Sequence, residues 1–383
     1  MRCGIKKQGL DLALIAADAP VPAAGVFTRS SVVGAPVEWS RRALRSGRVR
    51  AIVANSGCSN VAMGERGRRD AAAMAADAAR ALDAGPGEVL VASTGVIGAP
   101  LPLAKIRRGT REAARSLAPG GLRDAARAIM TTDTVPKWAE ASARVGGRRV
   151  TVAGIAKGSG MIAPDLATMF GFLLTDAAAT PGFLRAALRE VADDTFNCVS
   201  VDGECSTSDT VLLLASGRAQ NALLRDRASR GAPALVGALR EVSGELARAL
   251  ARDGEGATKL VDVVVRGARS EGEARLAARR IANSMLVKTA LFGRDPNWGR
   301  ILQTIGAGRV AIRLARARVR LAGVTVFRDG ASVGPGARRR AAARLAEPEV
   351  AIEVDLGAGY GQARMWTCDL STDYVRINAE YTT

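Results

Sequence analysis

Short apolar runs that alternate with amphipathic segments constrain the fold of this chain more than any other feature. Arg50–Ala54 (RAIVA) and Glu88–Ala92 (EVLVA) have the length and residue types of buried strands. Asp70–Ala84 between them predicts a helix, with Asp70 as its N-cap and Gly85-Pro86-Gly87 after its end. Strands that alternate with helices favour an α/β or α+β fold of layered sheets and helices.

The same alternation continues to the end of the chain. The further predicted helices are Leu101–Leu117, Gly121–Met130, Pro181–Ala192 and Ala232–Arg252. The further predicted strands are Val150–Ile155, Phe170–Thr175, Val211–Ala215, Leu260–Val265, Val310–Leu314 and Val350–Val354. No apolar run approaches the ~20 residues of a membrane span, and the first residues lack the apolar centre of a signal peptide. With five scattered cysteines and no CxxC pair, these features predict a cytoplasmic protein without a disulfide framework.

Glycine turns follow several of the predicted strands. Ser93-Thr94-Gly95 and Lys157-Gly158-Ser159-Gly160 are two of them. Open α/β sheets bind ligands at such strand ends. None of the turns has the spacing of a nucleotide-binding loop, so we expect no bound nucleotide cofactor.

The chain contains no histidine. That excludes Ser-His-Asp and Cys-His catalysis, and every metal site that needs an imidazole. We therefore expect no metal centre, and an enzyme with this sequence needs a general base other than imidazole.

A formal net charge of +18 raises the alternative of a nucleic-acid-binding protein. The arginines are dispersed along the chain, and aromatic residues make up only 4%, too few for a base-stacking platform. We therefore expect neither nucleic acid nor membrane as a partner, and read the charge as a compositional bias toward arginine.

An N-terminal α-amine is one base that can activate a hydroxyl without histidine. Its reference pKa of ~8 allows it to accept a proton near neutral pH. An internal threonine acquires such an amine when the peptide bond before it is cut. Thr168 is a candidate, because a Gly-Ser-Gly turn and the small Ala167 precede it and an apolar strand follows. The alternative is that Thr168 is simply a residue with high strand propensity.

Long motifs add a family resemblance. They include Gly154–Ala177, Val91–Gly98 (VASTGVIG), Thr131–Lys137 (TTDTVPK), Asp253–Lys259 (DGEGATK) and Val287–Arg300 (VKTALFGRDPNWGR). Over nearly its whole length the chain resembles the ornithine acetyltransferases, the ArgJ family of arginine biosynthesis. The resemblance implies an α+β layered sandwich of the kind found in the ArgJ and DmpA proteins.

The resemblance also implies self-cleavage between Ala167 and Thr168. The products would be an α chain, residues 1–167, and a β chain, residues 168–383, associated as an α2β2 heterotetramer. Thr168 would then be the nucleophile of a ping-pong acetyl transfer from N2-acetyl-L-ornithine to L-glutamate. Thr94 and the Gly95 amide would form the oxyanion hole.

Substrate-binding positions carry over from the same resemblance. They are Thr134, Lys157, Thr168, Glu255, Asn378 and Thr383. Lys157 can pair with an α-carboxylate, and Glu255 can pair with the cationic side chain of ornithine. The family pattern changes at Cys58-Ser59 and at Glu204-Cys205, both in predicted turns. Trp298 matches a family feature that we interpret as packing.

Three questions of function stay open at this point. A self-processing N-terminal-nucleophile aminopeptidase or amidohydrolase would share the threonine chemistry but pass the acyl group to water. An arginine-rich nucleic-acid binder is a more remote alternative. Acetyl-CoA is a further candidate co-substrate, for the synthesis of N-acetylglutamate, and no other cofactor is expected.

Overall fold

A computed structural model describes residues 1–163 and 169–380 of the chain. Its contacts divide these residues into two compact units. Unit 1 contains residues 1–163, 169–197 and 204–246, and unit 2 contains residues 198–203 and 247–380. Each unit has its own sheet with helices packed on it, so the predicted α/β class with layered sheets and helices is confirmed. The predicted division into chains 1–167 and 168–383 concerns a covalent cut and stays a prediction.

Unit 1 is built on a seven-stranded sheet in the order β3-β2-β1-β7-β6-β5-β4. The strands are β1 (Leu12–Phe27), β2 (Arg48–Cys58), β3 (Val89–Val96), β4 (Lys137–Val145), β5 (Arg148–Lys157), β6 (Phe170–Thr175) and β7 (Thr210–Ala215). The helices are α1 (Ala35–Ala43), α2 (Gly64–Ala81), α3 (Leu103–Arg115), α4 (Leu122–Ile129), α5 (Pro181–Asp194) and α6 (Ala232–Arg252), the last of which continues into unit 2.

Strand β1 divides this sheet into two halves. Its first part pairs with β2, its last part Ala23–Phe27 pairs with β7, and the register shifts between Ala16 and Val21. Side chains from β2 and β3, such as Ile52 and Leu90, share one buried cluster with Phe172 of β6 and Leu212 of β7. The two halves therefore face each other as a sandwich.

Helices fill and cover this sandwich. Ala126 and Ile129 of α4 belong to the cluster between the halves. Alternate residues Ala51 and Val53 of β2 point to the opposite face, where they pack with α2 and α3, as expected from the two-residue period of a strand. On β5, a Cβ at Gly154 would lie 2.9 Å from Val242 Cγ1 of α6, so α6 covers the far side of the second half.

Unit 2 contains a six-stranded sheet in the order β11-β10-β9-β12-β8-β13. The strands are β8 (Leu260–Ala268), β9 (Arg318–Leu321), β10 (Val324–Arg328), β11 (Ala331–Ser332), β12 (Glu349–Asp355) and β13 (Gly361–Cys368). The helices are α7 (Glu271–Asn283), α8 (Met285–Phe292), α9 (Trp298–Ala307), α10 (Pro335–Arg344) and α11 (Thr372–Glu380). Among the described residues, no helix is long and apolar enough to cross a membrane.

The two faces of this second sheet differ in polarity. Val263 of β8 and Ile352 of β12 pack with Ile281 of α7 in one apolar cluster. The alternate residues carry charge, and Arg364 pairs with Asp262 across neighbouring strands at 2.8 Å. This alternation places the apolar face of the sheet against the helices.

Several sequence predictions of single elements can be compared with these bounds. The strand Phe170–Thr175 and the helix Ala232–Arg252 are confirmed at both ends. The prediction of a helix beginning at Asp70 is wrong, because α2 begins at Gly64 and Asp70 is one of its buried residues. The predicted strand Val310–Leu314 is also wrong, since these residues form coil and the start of a turn before β9.

Candidate active site

Thr94 and Gly95 lie within β3 of unit 1, near its carboxyl end, so the prediction of a turn at Ser93-Thr94-Gly95 is wrong. Strands β2 and β3 are parallel there, and Gly95 is the register partner of Gly57. Gly95 has φ +124°, and a Cβ on it would lie only 2.4 Å from the carbonyl carbon of Gly57. The close approach of the two backbones and the positive φ both require glycine at position 95.

Lys157, the last residue of β5, reaches Thr94 of β3. Its Nζ donates to Thr131 Oγ1 at 2.7 Å and to Thr94 Oγ1 at 3.4 Å, and the residue is 8% exposed. A lysine amino group that is protonated can only donate, so both hydroxyls act as acceptors toward it. Each hydroxyl keeps its own proton for a further acceptor. Lys157 thus turns the Thr94 hydroxyl into a donor for a ligand.

Asp133 is the buried carboxylate that organises the loop between α4 and β4. Its Oδ1 accepts from Lys137 Nζ and from the Gly158 amide, both at 2.7 Å, and its Oδ2 accepts from the Thr131 amide at 3.0 Å. Burial alone would raise the pKa of Asp133. The charges of Lys157 and Lys137 and the Gly158 amide outweigh burial and lower this pKa to about 2. Asp133 therefore keeps a negative charge next to Lys157.

Lys6 is a second lysine near this end of β3, since a Cβ on Gly57, the register partner of Gly95, would lie 2.9 Å from Lys6 Cγ. Its Nζ donates to the Met130 carbonyl at 2.8 Å, one residue before Thr131. Burial lowers the pKa of Lys6. The charges of Asp11 and Asp133 act against this effect, and the charge of Lys157 adds to it. The sequence offered no reason to single out this residue.

The remaining predicted residues of this region are only partly described. Thr134 is exposed on the loop that carries Asp133. Ala167 and Thr168 lie outside the described residues. The described chain resumes at Met169, whose carbonyl accepts from the Thr210 amide at 3.0 Å, and Phe170 is the register partner of Lys157. The residue two positions after Thr168 is therefore a neighbour of Lys157.

Glu255 and Asn378 meet in unit 2. Asn378 Nδ2 donates to Glu255 Oε2 at 2.8 Å, and Glu255 is 8% exposed. The loop that carries Glu255 is held by Asp369, which accepts from the amides of Thr258 and Lys259 at 2.8 and 3.0 Å. The structure thus brings together two of the predicted binding residues. The third prediction at this end of the chain, Thr383, lies outside the described residues.

The departures from the family pattern in β2 and its following turn are accommodated by hydrogen bonds. Cys58 Sγ donates to the Ala99 carbonyl at 3.2 Å, and Ser59 Oγ donates to the Val96 carbonyl at 2.8 Å. Both contacts fix the segment that follows Gly95. Glu204 and Cys205 are exposed. In unit 2, Trp298 packs on Phe327 with ring centroids 4.8 Å apart, which agrees with its interpretation as a packing residue.

Sequence reasoning missed three members of this region: Lys6, Thr131 and Asp133. A signal for one of them was present, since Asp133 and Lys137 lie four residues apart in the motif TTDTVPK. Within residues 1–163 and 169–380, no group of three or more His, Cys, Asp or Glu residues is arranged to hold a metal ion.

The layered α/β fold carries a hydroxyl, an amide and a buried lysine at the end of one strand, which are groups that an enzyme of the acyl-transferring class uses. The family model of the ArgJ family matches residues 1–383. The chain belongs to the ArgJ family, and it is an acetyltransferase of arginine biosynthesis.

Individual relatives agree with this assignment. The chain is 48% identical to the arginine biosynthesis bifunctional protein ArgJ of Symbiobacterium thermophilum, over 97% of this chain and 92% of the relative. It is 45% identical to the protein of the same name from Geobacter sulfurreducens, over 100% and 98% of the two chains. The crystal structure of the Bacillus halodurans arginine biosynthesis bifunctional protein ArgJ has 40% identity and a TM-score of 0.53, over 56% of this chain and 100% of that chain.

Proposed function

We propose that the enzyme transfers the acetyl group of N2-acetyl-L-ornithine to L-glutamate through an acetyl ester on Thr168. The observation that carries this proposal is the contact of Lys157 with Thr94 at the end of β3. It combines a donor for a substrate carboxylate with a hydroxyl that can stabilise an oxyanion. Family membership supports the choice of reaction.

The first half of the reaction forms the ester. Thr168 Oγ attacks the acetyl carbonyl carbon, and its proton passes to the α-amine that cleavage after Ala167 has released. The carbonyl oxygen becomes an oxyanion, which accepts from the Thr94 hydroxyl and the Gly95 amide. When the C–N bond breaks, the α-amine returns the proton to the leaving ornithine amine.

The second half reverses these steps with glutamate. Its neutral amine attacks the ester carbonyl, and the same two donors stabilise the oxyanion. The C–O bond to Thr168 breaks, and Oγ regains the proton that the glutamate amine has given to the α-amine. Lys157 meets the α-carboxylate that both amino acids share.

Mass spectrometry of the denatured protein tests the covalent part of the proposal. We expect two chains, the second beginning at Thr168, in place of one chain of 383 residues. Thr168→Ala should block both cleavage and transfer, and Thr168→Ser should keep some of each. A single intact chain with full activity would contradict the terminal-amine mechanism. Native mass spectrometry of the same sample tests the α2β2 association.

The acceptor distinguishes transfer from hydrolysis. We expect glutamate to suppress the release of free acetate and to yield N-acetylglutamate in equal amount to ornithine. Acetate release that glutamate does not change would favour an amidohydrolase. Incubation with acetyl-CoA and glutamate, without acetylornithine, tests whether the same ester also forms from a thioester donor.

A further inference from the structure

The end of α4 and the segment that follows it are held from both halves of the sheet in unit 1. From β2, Ser56 Oγ donates to the Ala128 carbonyl in the last turn of α4 at 2.8 Å. From β5, Lys157 Nζ donates to Thr131 Oγ1 at 2.7 Å. The segment after α4 therefore connects the carboxyl end of β2 with the carboxyl end of β5.

The Asp133 carboxylate holds both partners of the contact between Lys157 and Thr131. Its Oδ2 accepts from the Thr131 amide at 3.0 Å, and its Oδ1 accepts from the Gly158 amide at 2.7 Å. Gly158 directly follows Lys157, so one carboxylate fixes the peptide unit at the end of β5 and also the residue whose hydroxyl accepts from the lysine. The Asp133 side chain is fully buried, and hydrogen bonds to an ionised group are shorter and stronger than those between neutral groups.

The position of Lys157 determines the direction of the Thr94 hydroxyl. Lys157 Nζ lies 3.4 Å from Thr94 Oγ1, at the long end of the range for a hydrogen bond. A shift of the amino group by roughly half an ångström would therefore end this contact. While the contact is present, Thr94 Oγ1 accepts from the ammonium and its proton points to another acceptor. Stabilisation of an oxyanion depends on donors that already point to the reacting oxygen.

We propose that Asp133 is a positioning residue for the oxyanion hole. It fixes Lys157 through the amides of Thr131 and Gly158. Lys157 in turn directs the proton of the Thr94 hydroxyl toward the substrate oxygen. Asp133 itself touches neither the substrate nor the reacting atoms in this role. This inference rests on the acetyl transfer proposed above, since it assigns Asp133 to the same oxyanion hole.

A double-mutant cycle between Asp133 and Thr94 tests the inference. Asp133→Asn keeps the size of the side chain but loses its charge and one acceptor oxygen, and it should lower kcat about tenfold to hundredfold. Thr94→Val removes the hydroxyl and should lower kcat about 100-fold. In the Thr94→Val enzyme, Asp133→Asn should cost less than about a further threefold, because the hydroxyl through which Asp133 acts is absent. The comparison uses kcat, since a displaced Lys157 would also raise KM.

Asp176→Asn is the matched control, because Asp176 holds β5 near its other end. Its Oδ1 accepts from the Thr151 amide at 2.8 Å. A general loosening of β5 would lower kcat in this variant as much as in Asp133→Asn. We expect Asp176→Asn to change kcat less than about twofold, with or without the Thr94 hydroxyl.

A second variant keeps the test decisive if Asp133→Asn does not fold. That substitution removes a counter-charge of the buried Lys137, which lies 2.7 Å from Asp133 Oδ1. Thr131→Val then takes its place in the cycle. It removes the hydroxyl that accepts from Lys157, and its loss of kcat should also shrink in the Thr94→Val enzyme.

The outcomes separate this inference from the proposed function. An unchanged kcat in Asp133→Asn, or an equal fold loss with and without the Thr94 hydroxyl, would overturn the positioning role and leave the reaction intact. A loss confined to the enzyme that has this hydroxyl, and absent from Asp176→Asn, would support it. No transfer between acetylornithine and glutamate in the wild type would overturn the proposed function and this inference with it.

Discussion

Two buried lysines, one in each unit, have different surroundings. Lys157 in unit 1 is 8% exposed and donates to the hydroxyls of Thr131 and Thr94. Lys288 in unit 2 is 3% exposed and donates to the Cys368 carbonyl and, at 3.1 Å, to Thr367 Oγ1. Burial raises the pKa of the Cys368 thiol, and Lys288 offsets only part of that rise.

The difference lies in one acceptor rather than in burial, since both lysines donate to hydroxyls and Lys288 donates also to a backbone carbonyl. A backbone carbonyl is fixed by the strand and can only accept, so Lys288 completes the hydrogen bonding of β13. A hydroxyl can rotate and can also donate. Lys157 can therefore exchange a hydroxyl for a substrate carboxylate at small cost. We infer that Lys288 stabilises the fold and that Lys157 serves the reaction.

The largest expected effect concerns stability in unit 2. Lys288→Met should lower the free energy of unfolding by about 3 kcal/mol, because it leaves the buried Cys368 carbonyl without this donor. Urea denaturation measures the change. Lys259→Met is the comparison, since Lys259 is also buried but donates to the Thr258 hydroxyl at 3.2 Å, and it should cost about 1 kcal/mol. An equal loss of unfolding free energy in the two variants would contradict the distinction between a carbonyl acceptor and a hydroxyl acceptor.

The second effect concerns activity in unit 1. Lys157→Met should reduce kcat/KM for acetyl transfer about 100-fold, because the substrate carboxylate loses a charge-assisted partner. Its free energy of unfolding should change by about 1 kcal/mol or less. Transfer assays and urea denaturation on one preparation measure both quantities. A Lys157 variant that is unstable but fully active when folded would contradict its assignment.

The third effect is the response of unit 1 to acid. The pKa of Asp133 is lowered from 3.8 to about 2 in the folded protein. A carboxylate with a lowered folded pKa stabilises the fold above its unfolded pKa, and this contribution is lost as the pH falls through the folded value. We expect about 2 kcal/mol at pH 5 that declines from pH 4 toward pH 2. The free energy of unfolding is measured for the wild type and for Asp133→Asn over this pH range, and it should depend less on pH in the variant. Parallel curves of free energy against pH would contradict a lowered pKa of Asp133.

The smallest effect concerns the Glu255–Asn378 pair of unit 2. Glu255→Gln should raise the KM of acetylornithine about tenfold, because the cationic end of the donor loses its counter-charge. The KM of glutamate should not rise, since glutamate has no cationic side chain. Asn378→Asp is a useful second variant, because it places a carboxylate beside Glu255 while preserving side-chain size. An equal rise in both KM values would assign Glu255 to packing instead.

The fold was predictable where one physical signal dominated. Phe170–Thr175 is an uninterrupted apolar run, and Ala232–Arg252 keeps a helical period over 21 residues. Strand β1 was not predicted, because its alternation is interrupted by Asp18, Pro20 and Pro22 at the bend. The start of α2 was missed because its first turns carry arginines on the solvent side, and they hide the buried face that begins at Gly67.

The site residues also separate into those that a local sequence signal selects and those that it does not. Thr94, Gly95 and Lys157 lie at the carboxyl ends of β3 and β5, whose apolar parts are recognisable, so local patterns and family resemblance were sufficient to select them. Lys6, Thr131 and Asp133 lie in segments without strand or helix periodicity. They matter because of partners far away in the chain, such as the contact between Lys6 and Met130, which are 124 residues apart.

The sequence by itself determined the class of fold, the absence of imidazole chemistry and the two residues, Thr94 and Gly95, that lie near the end of β3. These depend on residue type and on short-range periodicity, which a chain carries before it folds. Only the tertiary structure decided which charges share one region. The two halves of the sheet fold over α4, and this packing brings the ends of β3 and β5 together with the first turn of the chain. Electrostatic interactions depend on distance in space, so the contact of Lys6 with Met130 and the charge of Asp133 became visible only there.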